Sequence, residues 1–470
     1  MIRLRLSEIA DALGVRPVIP GDGQANGREV AVESIVSDSR KVEFGALFAA
    51  LPGSQVDGHD FARAAVRMGA VALLVQRPLD LAGEKNVPQL VVDDVLVALG
   101  HIATLLRDRL DPVVVGITGS NGKTTVKEMV ASILRRLGPV LATRGNYNNE
   151  LGVPLSVFGL EPQHRFAVLE LGASKPGDIE YLARMVRPDV AVVNNVGPAH
   201  LGGFGSIEAV AQTKGAIYMG LPPDGCAVIN ADEPWGDLWR GYSAAQRELT
   251  FGTSEGADVR LQGTEEHPRI VTPAGAFEFR PVLPGHHNLL NAMAATALVL
   301  ALAPKLEIDI ADIRAGLESV QPVPGRLNFI ETRRGWTVID DTYNANPASL
   351  YSALQVLRGM QGTPWLVLGD MKELGEESPK MHREVGDAAR AMGVSRLFAI
   401  GEMSAWTADA FGEGAQHFDS REALAAALRR ALRPGINVLV KGSRSMGMEA
   451  VVRAITDDAE NDNNALQETG

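Results

Sequence analysis

The sequence predicts an α/β protein of three domains: a small mixed α/β domain at the N-terminus, a central parallel-sheet domain, and a second alternating α/β domain at the C-terminus. Three observations carry this. The chain has 470 residues, too many for one core at roughly 100–200 residues per domain. From about residue 112, short apolar runs alternate with helical patterns, as buried parallel strands and their crossover helices do. At 321–326, "QPVPGR" breaks that alternation with proline and glycine, and a second series follows it.

Taken in order, residues 1–93 mix short strands with turns such as "PGDG" and "LPGSQVDGHDF". The helical stretch "DDVLVALGHIATLLRDRL" then leads into the apolar strand "PVVVGIT" at 112–118. A glycine-rich turn follows, then a helix with Val126, Met129, Val130, Ile133, Leu134 and Leu137 on one stripe. Gly138-Pro139 ends it. "FAVLELG" (166–172) and "PDVAVVNNVG" (188–197) read as further buried parallel strands. Residues 247–283 read instead as short antiparallel strands. "NLLNAMAATALVLALA" (288–303) is the most apolar helix, yet shorter than the ~18–20 residues needed to span a bilayer. Past the hinge, "WTVIDDTYN", "PWLVLGD", "RLFAIG" and "INVLVKG" are each followed by a helical pattern, a second α/β domain. The expected domains are 1–93, 94–324 and 325–456, and the polar, acidic tail 457–470 is expected to be disordered.

Composition narrows the class. Hydrophobic residues make up 46% and charged residues 22%, a globular balance. A net charge of −12 argues against a general nucleic-acid or anionic-membrane binder, but leaves room for a local basic pocket. The single cysteine, Cys226, excludes an intrachain disulfide and fits a reducing compartment. Charges in "MIRLRLSEIADALG" stand where a signal peptide would be apolar. A cytoplasmic protein is expected, monomeric and without membrane insertion.

The chemistry starts at "GITGSNGKTTVKE" (116–128). The usual phosphate-loop spacing, Gly, four residues, then Gly-Lys-Ser/Thr, fails here because Ile117 occupies the first glycine position. Context restores the assignment. A buried strand, a glycine-rich turn and a helix N-terminus aim free backbone N–H groups and a positive dipole end at an anion. Lys123 can reach terminal phosphates and Thr124 can ligate Mg²⁺. A second lysine is out of place: the helix 206–221 carries Ile207, Val210, Ala211, Ile217, Tyr218 and Leu221 on one stripe, and Lys214 falls on it. Pattern alone fits an amine that snorkels to water, or one whose pKa burial lowers.

"TGSNGKT" resembles the shortened nucleotide loop of the Mur ligase superfamily, ATP-dependent amide ligases of cell-wall and folate metabolism. "NYNNELGVP" (146–154), "ELGAS" (170–174), "GPAHLGGFGS" (197–206), "LPGHHNLLNAMAA" (283–295), "VPGR" (323–326) and "DDTYNANPAS" (340–349) resemble the same superfamily, in order. "DTYNANPAS", "GDMKELGEES" and "KGSRSMGME" are similar to the members that add D-alanyl-D-alanine to UDP-MurNAc-tripeptide, and the Asp-Asn-Pro-Arg motif of the third-residue-adding members is missing. The stretch 37–61 resembles the uridine-nucleotide domain shared by both.

The resemblance implies a UDP-MurNAc-peptide-binding first domain, a P-loop ATPase domain and a Rossmann-like third domain. It implies that ATP phosphorylates a carboxylate, that the amine attacks the acyl phosphate, and that phosphate leaves. ATP would contact Gly119, Ser120, Asn121, Gly122, Lys123, Thr124, Thr125, Asn288, Asn291, Arg326 and Asp341. Two Mg²⁺ ions would be held by Thr124, Glu170, His200 and a carbamylated Lys214, with Lys123, Glu170, His200 and Lys214 catalytic. Without the resemblance, Glu170 is a solvated strand end, His200 a structural histidine, and Asn288 and Asn291 a helix cap and a surface amide. Substrates would meet Ser39, Arg40, Asp57, Gly58, His59, Asn146, Asn148, Asn149, Tyr343, Asn344, Asn346, Lys441, Ser443 and Arg444. For each of the first five taken singly, ordinary turn chemistry is the alternative. Arg326 and Asp341 follow the hinge and Lys123 precedes it, so domain closure is expected to assemble the site. The competing readings are a ligase for another amine, third-residue-adding or folate-polyglutamylating, and a nucleotide-binding switch without catalysis.

Overall fold

The computed structural model describes residues 2–19, 23–24, 30–53, 56–81, 84, 86–198 and 201–456. His200 and the tail 457–470 lie outside them. It is a mixed α/β chain with three larger sheets.

The first sheet runs Gly23–Gln24, Val18–Ile19, Gln89–Val91, Ala72–Val75, Ala46–Ala49 and Ser34–Val36 in spatial order, parallel across its last four strands. Side chains of a strand alternate between faces. Ala46 and Phe48 pack with the helix Ala62–Met68, while Leu47 and Ala49 face the opposite core. That second core is continuous with one face of the central sheet, bridged by the helix Val95–Leu110 through Leu99, Ile102 and Leu106.

The central sheet has nine strands, in the order Val140–Ala142, Phe166–Glu170, Val113–Thr118, Val190–Val193, Cys226–Asn230, Arg247–Gly252, Val259–Gly263, Pro268–Thr272 and Gly275–Glu278. Both faces are buried. Val114, Ala167, Leu169, Ala191 and Val193 face one core, and Val115, Ile117, Phe166, Val168 and Val192 the other. A fully buried Val, Leu or Ile contributes about 1.5–3 kcal/mol, so a one-residue register slip, which would exchange the two faces, is strongly disfavoured.

The antiparallel reading of 247–283 holds only in part. Arg247–Gly252 and Val259–Gly263 extend the parallel sheet, and antiparallel pairing begins only after them. A parallel pair usually needs a crossover of a dozen residues or more. Here the two strands overlap only at Phe251↔Val259 and Gly252↔Arg260, so the chain steps sideways without travelling back the length of a strand, and a short connection suffices.

Strand order reverses around Val113–Thr118. The next strand in sequence lies two places to one side, and Val190–Val193 lies on the other. Open parallel sheets bind ligands at such a point, beyond the C-terminal strand ends.

The third sheet runs Asn328–Glu331, Thr337–Asp341, Ile436–Lys441, Thr363–Gly369, Arg396–Ile400 and Ala415–Phe418, parallel except at its first edge. Between the second and third sheets, Gly325 has φ +73°, and a Cβ there would lie 3.1 Å from the Tyr343 nitrogen. Among the described residues, no helix is long and apolar enough to cross a membrane.

Candidate active site

The strand Val113–Thr118 ends at the switch point, and the helix Lys123–Leu134 starts at Gly122 with no side-chain cap. Its first N–H groups therefore have neither an intrahelical partner nor a side-chain oxygen, which is an anion site. Gly122 has φ +79°, and a Cβ on it would sit 2.4 Å from Asn291 Oδ1. The position demands glycine on both counts.

The loop is fastened to the neighbouring strand end by two asparagines that sequence reasoning missed. Asn121 donates its N–H to Asn195 Oδ1 at 2.8 Å, and its carbonyl accepts from Asn194 Nδ2 and Asn195 Nδ2 at 3.0 and 3.1 Å. Ser120 donates its N–H to the Asn195 carbonyl, and Ser120 Oγ accepts from Gly197 N, both at 2.9 Å. The pair "NN" directly after a buried apolar strand was the available signal.

Lys123 donates to the Gly119 carbonyl at 2.7 Å. Desolvation lowers its pKa, Glu170 opposes that, and Arg326 adds to it. Thr125 lies half-buried in the first helical turn. Thr124 and Glu170 are both buried, and Thr124 Oγ1 donates to Glu170 Oε2 at 2.7 Å. Asn148 Nδ2 donates to the other carboxylate oxygen at 2.7 Å. Asn148 therefore serves Glu170 in this structure, while Asn146 stays exposed and Asn149 Oδ1 accepts from Gly152 N.

Lys214 is 2% exposed, on the helix Ile207–Gly215. Burial, then the neighbouring Lys123 charge, push its pKa well below the usual lysine value, against the pull of Glu170. The inward reading holds, but the stripe is shorter than expected. Ile207 is 37% exposed, because it sits in the first turn, where the helix has just begun to pack. The α-helix also ends at Gly215 and continues as a 3-10 turn over Ala216–Gly220.

Asn288 and Asn291 are buried and chained together. Asn194 donates to Asn291 Oδ1 at 2.9 Å, Asn291 to Asn288 Oδ1 at 3.1 Å, and Asn288 to the Pro284 carbonyl at 2.8 Å. They are neither a helix cap nor surface amides. Next to them, burial and then the Lys441 charge push His287 down to about 4, so its ring is neutral near pH 7.

The third domain meets this loop directly. Asn346, at the N-cap of the helix Pro347–Gly359, donates to Asn121 Oδ1 at 2.9 Å. The Arg326 guanidinium lies 4.0 Å over the Tyr343 ring, and among the described residues its buried Nε has no hydrogen-bond partner. Buried Lys441 pairs with Asp341 and donates to the Asn344 carbonyl at 2.9 Å. Burial pushes the Asp341 carboxyl up, against Lys441. Ser443 Oγ accepts from Lys372 N at 2.8 Å, whereas Arg444 is turned outward. Lys372, half-exposed beside buried Asp370 at 2.8 Å, is a further cation that sequence reasoning missed.

The N-terminal candidates stand apart. No hydrogen bond or ion pair among the described residues joins Ser39, Arg40, Asp57, Gly58 or His59 to the loop. Arg40 forks onto Asp38, with both contacts at 2.9 Å. His59 is buried, with Nδ1 2.6 Å from Asp57 and Nε2 accepting from Gln76 N at 3.0 Å. Nε2 as acceptor puts the proton on Nδ1, donating to Asp57. Gly58 packs against Leu51, and a Cβ there would lie 2.5 Å from its carbonyl. These hydrogen bonds hold Asp57, Gly58 and His59 in a local turn, and Asp57 Oδ2 also accepts from Arg77 at 2.9 Å.

An uncapped helix N-terminus, a lysine, a hydroxyl–carboxylate pair and an arginine from a second α/β domain define a nucleotide-dependent enzyme acting between domains. The comparisons give the family. Residues 117–299 match the Mur ligase middle domain, 325–444 the Mur ligase glutamate ligase domain, and 31–107 the Mur ligase family catalytic domain. The chain belongs to the Mur ligase family. It is 41% identical over 468 residues to the UDP-N-acetylmuramoyl-tripeptide--D-alanyl-D-alanine ligase of Escherichia coli K12, covering 97% of this chain and 99% of that one. Among solved structures, MurF of Acinetobacter baumannii superposes with a TM-score of 0.88 at 33% identity, covering 97% and 99% of the two chains. MurF of Thermotoga maritima in complex with ADP gives 0.80 at 32% identity, covering 91% and 98%.

Proposed function

We propose that this chain joins D-alanyl-D-alanine to UDP-N-acetylmuramoyl-tripeptide, driven by ATP, to form UDP-MurNAc-pentapeptide, ADP and phosphate in peptidoglycan precursor synthesis. The observation that carries it is 41% identity, over nearly the whole of both chains, to a ligase of that name. In our reading residues 1–93 hold the uridine nucleotide, 94–324 the ATP, and 325–456 the incoming amine. The chain acts as a monomer in the cytoplasm, so a sedimentation mass of one chain is the expected result.

The reaction brings two anions together, a carboxylate and the γ-phosphate. The carboxylate oxygen bonds to phosphorus and ADP leaves. The amine then attacks the acyl carbon and phosphate leaves. Lys123 and the helix N-terminus receive the phosphates from one side, and Arg326 from the other. Lys441 and Asn344 line the third-domain wall. Mg²⁺ supplies charge neutralisation when bound. Thr124 and Glu170 fit it, with two hard oxygens 2.7 Å apart. Among the described residues no three His, Cys, Asp or Glu gather, so Thr124 and Glu170 would hold the ion together with phosphate oxygens and water, as is usual for Mg²⁺. His200 would ligate a second Mg²⁺ in this reading.

The amine panel tests the function. With UDP-MurNAc-tripeptide and ATP, phosphate release is expected with D-Ala-D-Ala and not with glutamate or diaminopimelate. Release driven by either of the latter would overturn the substrate assignment.

A carbamate on Lys214 finds support in the buried, pKa-depressed amine and none in the comparisons. On that reading Lys214→Ala loses most activity, on the order of 10²-fold, and formate restores part of it by refilling the anionic site. Unchanged activity of Lys214→Ala in CO₂-depleted buffer would refute the carbamate.

A further inference from the structure

Lys127 is a buried lysine with no part in the chemistry above. It is 2% exposed, one helical turn past Lys123. An ammonium is costly to bury unless it is paired and hydrogen-bonded. Its Nζ meets both conditions, lying 2.7 Å from Glu128 Oε1 and 2.7 Å from the Thr143 carbonyl. Thr143, also 2% exposed, follows the edge strand Val140–Ala142. Its hydroxyl accepts the Glu170 N–H at 3.0 Å, and its own N–H donates to the Val168 carbonyl at 3.1 Å. The chain then loops out and returns at Asn148, which donates to Glu170 Oε1 at 2.7 Å, while the Asn148 carbonyl accepts from Gly172 N at 2.7 Å. Glu170 is therefore gripped by its backbone through Thr143 and by its side chain through Asn148. The edge strand that carries this grip is three residues long and is tied to the loop helix by Lys127.

We infer that Thr143 and Asn148 are positioning residues that aim the Glu170 carboxylate at Mg²⁺, and that Lys127 is the anchor that fixes Thr143. This rests on the reading of Glu170 as a metal ligand. A carboxylate with two rotatable bonds beyond Cβ sweeps a wide arc when unrestrained. Thr143 fixes the backbone from which the side chain departs and Asn148 holds Oε1, and together they select the orientation that leaves Oε2 beside Thr124 Oγ1. Residues that orient a metal ligand typically cost 10–100-fold in metal affinity when removed.

The test is calorimetric titration of ADP into the full-length protein, with and without MgCl₂, so that the readout is binding and not turnover. The quantity of interest is the ratio of the two affinities. Glu170→Gln is expected to erase the Mg²⁺ enhancement. Thr143→Val, close in shape but lacking the hydroxyl, is expected to cut it about tenfold while leaving metal-free ADP affinity unchanged. Thr143→Ser keeps the acceptor and should stay close to wild type. If Glu170→Gln leaves the enhancement intact, the metal reading fails and the inference falls with it. If Glu170→Gln erases it and Thr143→Val does not alter it, the metal reading stands and the positioning role is wrong. Equal losses with and without Mg²⁺ would make Thr143 merely structural, which also overturns the inference. Should Thr143→Val lose its native near-UV circular dichroism, Asn148→Ala decides by the same ratio. Asn148 is only partly buried, and its loss touches the carboxylate directly.

Discussion

Lys123→Ala is expected to lower kcat by about 10³-fold or more while the protein keeps its fold. The residue opens a helix whose packing is made by Val126, Met129, Val130 and Ile133, and its own contacts are to loop carbonyls. Removing it therefore subtracts charge and leaves the core alone. Its amine is held near Glu170, Lys214 and Arg326, so the local field depends on it. When ATP and a carboxylate approach, that ammonium offsets their repulsion at the transferring phosphorus. Phosphate release under saturating substrates measures the effect, with circular dichroism as the fold control. Near-normal turnover by a folded variant would remove the loop from the mechanism.

Arg326→Ala comes next, with an expected loss of about 10³-fold in kcat. Two features suit this side chain to an anion. Its guanidinium is stacked on Tyr343, which fixes its plane, and its Nε is buried without a partner among the described residues. A buried donor left unmade costs ~1–3 kcal/mol, and a phosphate oxygen would recover that. Arg326→Lys should rescue little, because a lysine neither stacks nor forks. The measurement is kcat against ADP affinity. A loss confined to kcat places Arg326 on the transition state, whereas a variant as active as wild type would show that the third domain contributes no charge there.

Much of this site was legible because local order encodes it. Strand, loop and helix around Lys123 follow from apolar runs and glycine placement, whereas Glu170 by itself reads as a solvated strand end and enters the site only through the family resemblance. Lys214 betrayed itself as a cation on an apolar stripe. What stayed hidden depends on pairs far apart in the chain. Asn346 reaches Asn121 across the hinge, and no periodicity announces a contact between two loop asparagines. Asn194 and Asn195 look like the polar end of any strand until the loop is laid against them. The parallel pairing of Arg247–Gly252 with Val259–Gly263 escaped because short strands divided by turns read as hairpins unless their stagger is known. His59 and Asp57 look like motif residues, but in the fold they bond to each other, to the Gln76 N–H and to Arg77. Across the hinge, the third domain touches the loop through the hydrogen bond from Asn346 to Asn121.

Formation of an acyl phosphate at this loop is a claim that can be tested by following oxygen. UDP-MurNAc-tripeptide carrying ¹⁸O in its accepting carboxylate is turned over with ATP and D-Ala-D-Ala, and the released phosphate is analysed by mass spectrometry. Phosphate carrying one ¹⁸O atom from the carboxylate is the predicted result, because the oxygen that bonds to phosphorus departs with it. Unlabelled phosphate, formed alongside the pentapeptide product, would contradict the claim.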